Sequence, residues 1–322
     1  MDIPTFDDVL AAEKRIAPYI HNTPVLTSSY LNQLCAADLF FKCENLQKVG
    51  AFKARGASNA VFGLDASTAA RGVATHSSGN HAGALCYAAA RRGISATVVM
   101  PRTAPETKKA AVRSYGGHIL ECEPTQAARE AMLAQVISET GADLVHPYDD
   151  RRVIAGQATC ALELQREIAD LDALVAPIGG GGLIAGSCLS LSQLSPQTRI
   201  IAAEPENADD AHRSLLAGEI VLRDGQHSVA DGLNTNLKPL TWHFVSSFVE
   251  DILLVSEAEI LAAMYLTWQR MKIIIEPSSA VPLAAIIKHR DRFQGQRVGV
   301  IITGGNVELQ ACPGCPQLGS VK

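Results

Sequence analysis

Short apolar runs alternate with segments of helical spacing along most of the chain. The apolar runs form two series, at 73–76, 96–99, 118–120 and 143–146, and then at 173–177, 199–203, 251–255 and 297–302. Helical spacing lies between them at 105–114, 124–139, 153–168, 183–193, 209–217, 256–270 and 278–289. Strands that alternate with helices build parallel sheets covered by helices on both faces. The sequence therefore predicts an α/β protein with two doubly wound parallel-sheet domains.

The N-terminal part predicts a helix, a strand and a second helix. Thr5 can cap a helix that runs to Ala17, and Leu39–Cys43 has the composition of a strand. The second helix begins after Gly50 and carries Lys53 in its first turn. A cation opposes the helix dipole at that end. Lys53 is therefore either a solvated lysine without a role or a lysine held there for chemistry.

The domain boundary follows from the pattern alone, because no Pro/Ser-rich linker separates the two series. We predict a large domain formed by residues 1–74 and 150–322, with a small mobile domain, 75–149, inserted into it. A cleft between two such domains is where ligands usually bind.

Four consecutive glycines, Gly179 to Gly182, follow an apolar strand and precede an apolar helix. Backbone N–H groups without neighbouring Cβ atoms can close on an anion, and the helix N-terminus favours the same negative charge. The pattern predicts a phosphate site, with a flexible turn as the alternative. No Gly-Lys-Ser/Thr follows, which excludes a Walker A loop. A dinucleotide site remains open, because Gly180-x-Gly182-x-x-Ala185 fits its fingerprint and Glu204 lies about 20 residues further on.

Three further polar loops follow predicted strands. Ser77–His81 and Thr303–Asn306 stand where ligands bind in open α/β sheets, although a helix cap and a hairpin turn would also account for them. The acidic turn from Glu204 to Asp210 offers hard oxygen ligands for Mg²⁺, Mn²⁺ or Ca²⁺. Its alternative is a helix capped by Asn207 with acidic residues in the first turn.

Composition narrows the classes of partner. The 322 residues are 47% hydrophobic and carry a formal net charge of -5 without a Lys/Arg cluster, which favours small molecules over nucleic acid or anionic membranes. No apolar run reaches the length of a membrane span, and the N-terminus lacks the basic start of a signal peptide, so we expect a cytoplasmic protein. Five cysteines in apolar segments indicate reduced core thiols: Cys35, Cys43, Cys86, Cys160 and Cys188. The lone Cys312-x-x-Cys315 pair lacks a second pair to complete a zinc site.

Five of these stretches together resemble the serine racemase and serine/threonine dehydratase family of pyridoxal-phosphate enzymes, fold type II. They are Phe52-Lys-Ala-Arg-Gly-Ala57, Ser77-Ser-Gly-Asn-His81, Gly179–Gly182, Glu204-Pro-x-x-Ala208-x-Asp210 and Thr303-Gly-Gly-Asn306. They stand in the family's order and cover nearly the whole chain, whereas a dinucleotide site gives no account of Lys53 or Asn80. The resemblance implies an active site in the cleft between the two domains, and a homodimer.

The resemblance also assigns roles. Lys53 would carry the cofactor covalently, with Phe52 packed beside its ring, Asn80 on its 3-hydroxyl, Gly179, Gly180, Gly181 and Gly182 on its phosphate, and Thr303 at the pyridine nitrogen. Ser78 would act as acid or base on the face opposite Lys53. The substrate would be bound by Ser77, Ser78, Asn80, His81, Arg129 and Thr235, and the divalent ion by Glu204, Ala208 and Asp210.

Differences within the family indicate the reaction. Ala51 and the His146-Pro-Tyr-Asp149 stretch resemble the 3-hydroxyaspartate dehydratases, which give oxaloacetate and ammonia. A serine racemase or a serine/threonine dehydratase is the alternative, and a NAD-dependent oxidoreductase a remote one. Ser28, Ser29 and Lys48 match the racemases' nucleotide site, but Val49 stands in place of a threonine, which argues against activation by ATP.

Overall fold

A computed structural model describes residues 2–309, and its elements follow the predicted alternation. The helices are α1 (Phe6–Ile16), α2 (Ser29–Cys35), α3 (Lys53–Phe62), α4 (Ala66–Ala69), α5 (Asn80–Arg92), α6 (Glu106–Ser114), α7 (Gln126–Thr140), α8 (Arg151–Glu167), α9 (Gly182–Leu194), α10 (Asp210–Ala217), α11 (Pro239–Phe248), α12 (Glu257–Met271) and α13 (Pro277–Lys288). The strands are β1 (Val25–Leu26), β2 (Asp38–Cys43), β3 (Val73–His76), β4 (Ala96–Pro101), β5 (His118–Cys122), β6 (Asp143–Leu144), β7 (Ala173–Pro177), β8 (Arg199–Pro205), β9 (Val249–Val255) and β10 (Arg297–Ile302).

The larger sheet has six strands in the order β1-β2-β10-β7-β8-β9. Only β1 is antiparallel to its neighbour, and the other strands run parallel. Strand β10 lies near the middle, where Val300 pairs with Phe41 on one side and Val175 on the other. All three side chains are buried, as expected for a parallel sheet with helices on both faces.

The smaller sheet has four parallel strands in the order β5-β4-β3-β6. All of its strands come from the segment between Val73 and Leu144. The boundary predicted between residues 74 and 75 therefore falls inside β3. Strand β6 is only two residues long, shorter than the apolar run at 143–146 that predicted it.

Helix α3 precedes the segment that forms the smaller sheet, helix α8 follows it, and the two helices pack against each other. They cross at two glycines, where a Cβ added to Gly156 would lie 2.6 Å from Cα of Gly56. Direct backbone contact leaves no room for a side chain at this crossing. It holds the start of α3, which carries Lys53, firmly against α8.

Several predictions of local structure are confirmed. Thr5 caps α1 in a capping box with Asp8. The five cysteines predicted in the core are buried free thiols. Helices α2, α4 and α11 were not predicted. Across residues 2–309, each helix is too short or too polar to cross a membrane. Cys312 and Cys315 lie outside the described residues.

Candidate active site

Lys53 is the first residue of α3, at the carboxyl-end edge of the large sheet. Its amine donates a hydrogen bond to the carbonyl of Pro147 at 2.7 Å and lies 5.0 Å from the centre of the Phe52 ring. Among the described residues no carboxylate lies within 4.0 Å of the amine. Burial without a counter-ion lowers the pKa of Lys53 to about 8. The amine can therefore lose its proton near neutral pH, which supports chemistry over a solvated lysine.

A buried ionic cluster anchors the same turn of α3. Arg55 is fully buried. Its guanidinium donates two hydrogen bonds to Glu44, at 2.7 and 2.8 Å, two to Glu163, both at 2.7 Å, and one to Thr159 at 3.0 Å. Lys42 adds a second cation, 2.7 Å from Glu163. Because all five N–H donors of Arg55 have acceptors, the cluster fixes the backbone two residues beyond Lys53.

The glycine loop is closed in by its neighbours. A Cβ at Gly180 would lie 2.5 Å from the Tyr148 ring, and one at Gly179 would lie 2.7 Å from Cα of Leu233. Gly181 has a φ of +84°, which favours glycine. Within residues 2–309, the N–H groups of Gly179, Gly180 and Gly181 have no hydrogen-bond acceptor. Together with the N-terminus of α9, these free donors are groups that can bind an anion.

Three aromatic side chains line the cleft beside this loop. The ring centres of His76 and His146 are 5.9 Å apart, and those of His146 and Tyr148 are 4.7 Å apart. Nδ1 of His146 accepts the N–H of Asp149 at 2.9 Å, which leaves Nε2 to carry the proton. Burial lowers the pKa of His146 to about 4 and raises that of Tyr148 to about 12. Both side chains are neutral at pH 7 and can donate hydrogen bonds.

The loop Ser77–His81 connects β3 to α5. The hydroxyl of Ser78 is half-buried and has no partner among the described residues. Ser77 accepts the N–H of Gly79 at 3.3 Å. His81 is buried, with Nε2 3.1 Å from the carbonyl of Val145, and Nδ1 has no partner within residues 2–309. Burial lowers the pKa of His81 to about 3, so its ring is neutral.

Glu276 is a residue of the site that the sequence analysis missed. Nδ2 of Asn80 donates to its carboxylate at 2.8 and 3.2 Å, while Oδ1 of Asn80 accepts from Asn306 at 2.9 Å. Burial raises the pKa of Glu276 to about 7. An acid directly before Pro277 resembles an ordinary helix start. Only its contact with a residue 196 positions away reveals its place in the cleft.

Thr303 follows the central strand β10. Its side chain is buried, and its hydroxyl lies 2.9 Å from the hydroxyl of Ser279, which also accepts the N–H of Gly304 at 2.7 Å. The carbonyl of Thr303 accepts the N–H of Phe52 at 2.9 Å. The two predicted motifs that begin at Phe52 and Thr303 are therefore brought together, and a simple hairpin turn does not account for the second.

The acidic turn has two different carboxylates. Glu204 is fully buried, and its oxygens accept the N–H groups of Ala211 and His212, at 3.0 and 2.8 Å, in the first turn of α10. Glu204, rather than Asn207, therefore caps this helix. Asp210 is also buried, but neither of its oxygens has a partner in the described part of the chain, and burial raises its pKa to about 7. Such a carboxylate fits a cation. Residues 2–309 contain no cluster of three or more His, Cys, Asp or Glu side chains that could hold a metal ion. The predicted set differs from such a cluster, because it has two carboxylates and the backbone carbonyl of Ala208.

Arg129 and Thr235 are both half-buried. Nε of Arg129 is shielded from solvent and has no acceptor among the described residues. Arg129 is therefore not a fully solvated surface residue. The hydroxyl of Thr235 also has no partner in the described structure, and its N–H donates to the carbonyl of Leu233 at 2.8 Å.

Comparisons with known proteins agree with this arrangement. The family described as pyridoxal-phosphate dependent enzymes matches residues 16–304. The chain is 62% identical to the beta-hydroxyaspartate dehydratase of Paracoccus denitrificans (strain Pd 1222), over 97% of this chain and 99% of that protein. The crystal structure of serine racemase from Dictyostelium discoideum is similar, with a TM-score of 0.91, 48% identity and coverage of 95% of this chain and 99% of that one. The crystal structure of the T.th. threonine deaminase is also similar, with a TM-score of 0.90, 43% identity and coverage of 95% and 99%.

The fold type predicted from the five motifs is confirmed by these structures. The dinucleotide interpretation has no support in them. It also required Glu204 to bind a ribose in the cleft, whereas that carboxylate is fully buried against the start of α10.

Proposed function

The chain belongs to the pyridoxal-phosphate-dependent enzymes, and we propose that it converts a 3-hydroxyaspartate to oxaloacetate and ammonia. The similarity to a beta-hydroxyaspartate dehydratase over nearly the full length of both proteins supports this substrate. The observation that carries the proposal in the structure is Lys53. Burial lowers the pKa of its amine to about 8, and the amine has no counter-ion among the described residues. Dehydration or racemisation of serine or threonine is the second candidate, because relatives with those names share the same fold.

The residues present fit the cofactor. We assign Lys53 to its covalent attachment, Phe52 to packing beside the ring and Gly179–Gly182 to the phosphate, since a side chain on the loop would fill the cradle. The pyridine nitrogen would meet the neutral hydroxyl of Thr303. Oδ1 of Asn80 accepts from Asn306 and keeps a lone pair for the cofactor's 3-hydroxyl. When bound, pyridoxal phosphate holds the substrate's amino group and withdraws electrons from Cα.

Side chains of the protein would carry out the proton transfers. When its amine is free, Lys53, with its pKa lowered to about 8, would remove the Cα proton. The β-hydroxyl then leaves together with one proton, as water, and hydrolysis of the C=N bond of the resulting imine gives the 2-oxo acid and ammonia. Ser78, on the opposite face, would return a proton to Cα in racemisation. Ser77, Asn80, His81 and Thr235 would bind the substrate's α-carboxylate and hydroxyl, and Arg129 its second carboxylate.

A divalent cation, Mg²⁺ or in its place Mn²⁺ or Ca²⁺, would bind at Glu204, Ala208 and Asp210. The support is the unpaired carboxylate of Asp210, buried where β8 leads into α10. Each carboxylate oxygen of Glu204 accepts one N–H and keeps a lone pair for a ligand bond. The ion would brace the large domain and would not contact substrate. We further propose that residues 1–74 and 150–322 form the large domain and 75–149 the small one, and that the enzyme is a cytoplasmic homodimer that does not require ATP.

A substrate panel tests the function. The 3-hydroxyaspartate isomers, L-serine and L-threonine are assayed for oxo acid and ammonia, with Lys53→Ala as the inactive control. We expect the largest kcat/KM for one 3-hydroxyaspartate isomer. A higher kcat/KM for serine or threonine would replace the proposal with the second candidate and leave the cofactor assignment in place.

The variant Ser78→Ala tests the two faces of the site. If Lys53 acts on one face and Ser78 on the other, the variant loses racemisation but retains elimination that begins at Lys53. Activity is followed separately by chiral analysis of the substrate and by oxo acid formation. Equal loss of both activities would assign Ser78 to positioning the cofactor instead.

A further inference from the structure

Lys238 stands at the mouth of the glycine loop, on the segment that leads into α11. The neighbouring Leu237 and Thr241 lie against Gly181, where an added Cβ would be 2.8 and 2.9 Å from their side-chain atoms. The hydroxyl of Thr241 accepts the N–H of Lys238 and donates to its carbonyl, both at 3.1 Å. The backbone of Lys238 is therefore fixed beside the phosphate cradle, while its side chain is exposed.

The charge of Lys238 is not neutralised nearby. Within residues 2–309, no carboxylate oxygen lies within 4.0 Å of its ammonium. The adjacent Asp149 accepts the N–H of Leu240 at 3.3 Å instead. Burial lowers the pKa of His76 and of His146, and the charge of Lys238 lowers both further. The N–H of Asp149 is in turn accepted by Nδ1 of His146, so the segment that carries Lys238 is tied by hydrogen bonds to the one that carries this imidazole.

Arg129 lies on α7, which packs against β3, the strand that ends at His76. Burial is the main cause that lowers the pKa of His76, and the charge of Arg129 lowers it further. Nε of Arg129 lacks an acceptor in the described structure. Glu130, which is exposed, acts on His76 in the opposite direction, as Asp150 does on His146. Lys238 and Arg129 are therefore two cations without carboxylate partners in the described structure, one on the segment before α11 and one on α7. A serine or threonine has no group that would neutralise a pair of cations beyond its α-carboxylate.

We propose that Lys238 and Arg129 bind the distal carboxylate of the substrate from opposite sides of the cleft, which makes Lys238 a residue that selects dicarboxylic over monocarboxylic hydroxyamino acids. The inference rests on the proposed function and adds a second cation to it. Charge-assisted hydrogen bonds of this kind are stronger than those of a neutral site.

The test compares Lys238→Met, which keeps the length and removes the charge, with Lys238→Arg, which keeps the charge. Lys14→Met, at the exposed last turn of α1, is the matched control. For Lys238→Met we expect kcat/KM to fall about tenfold or more with 3-hydroxyaspartate and far less with L-serine. Lys238→Arg should restore most of the loss, and Lys14→Met should match the wild type.

Inhibition provides a second readout that needs no turnover of a dicarboxylate. Malate has two carboxylates and no amino group, whereas glycerate has one carboxylate. Both compounds are tested as inhibitors of serine elimination. In Lys238→Met the inhibition constant of malate should rise about tenfold, and that of glycerate should stay the same. Equal losses with both substrates, or weaker retention of the cofactor, would overturn the inference and assign Lys238 to the phosphate. A wild-type preference for serine is a different result, because it overturns the proposed function itself.

Discussion

Arg55 should be the most costly charged residue of the site to replace. Its side chain is fully buried, and Glu44, which it holds at 2.7 and 2.8 Å, is fully buried as well. Arg55→Met leaves that carboxylate without its main partner, whereas Glu163 keeps Lys42 at 2.7 Å. Breaking a buried ion pair by removing one partner costs about 3–5 kcal/mol. This is a large share of the roughly 5–15 kcal/mol that stabilises a typical protein.

The matched control is Arg102→Met, because Arg102 pairs with Glu123 at a site where both side chains are more than half exposed. Loss of an exposed pair costs about 0–1 kcal/mol. Urea unfolding followed by circular dichroism gives both values. Adding Glu44→Gln to Arg55→Met removes the unpaired charge and should recover part of the stability. The reasoning is refuted if Arg55→Met and Arg102→Met cost the same, or if Glu44→Gln makes the double variant less stable still.

Four further outcomes are expected. Borohydride should fix the cofactor on Lys53, and mass spectrometry that finds the adduct on another lysine would contradict the assignment. Gly180→Ala places a Cβ 2.5 Å from the tyrosine ring and should weaken cofactor binding in a titration, whereas Gly83→Ala, with its nearest atom at 3.7 Å, should not. Burial raises the pKa of Glu276 from 4.5 to about 7, so the folded protein holds a proton there that the unfolded chain has lost. Stability should therefore fall as pH rises from about 4.5 to 7, and Glu276→Gln should flatten that part of the melting-temperature profile. A chelator should lower the melting temperature of the wild type, and Asp210→Asn should abolish this response; no effect on the wild type would leave the acidic turn as a helix cap.

The sequence was informative wherever local pattern determines structure. Parallel strands are buried on both faces, so their apolar runs stand out, and the loops that follow them predicted the positions of Lys53, Asn80 and the glycines. Glu276 escaped notice because its partner Asn80 is 196 residues away. Lys238 escaped for a similar reason, since it is an exposed lysine in the sequence and only the fold places its neighbours Leu237 and Thr241 beside Gly181. Contacts of this range depend on which strands become neighbours, and sequence spacing does not carry that information.

The position of β10 has a consequence for how the protein is made. This strand inserts between β2 and β7, yet it is the last strand of the described chain to leave the ribosome. Until it emerges, β2 and β7 each present an open edge, which is a site for wrong pairing. Thr303 and Asn306 follow it directly, and they complete the contacts to Phe52 and Asn80. The cofactor site therefore cannot assemble until β10 has emerged, and capture of pyridoxal phosphate reports that the large sheet has closed.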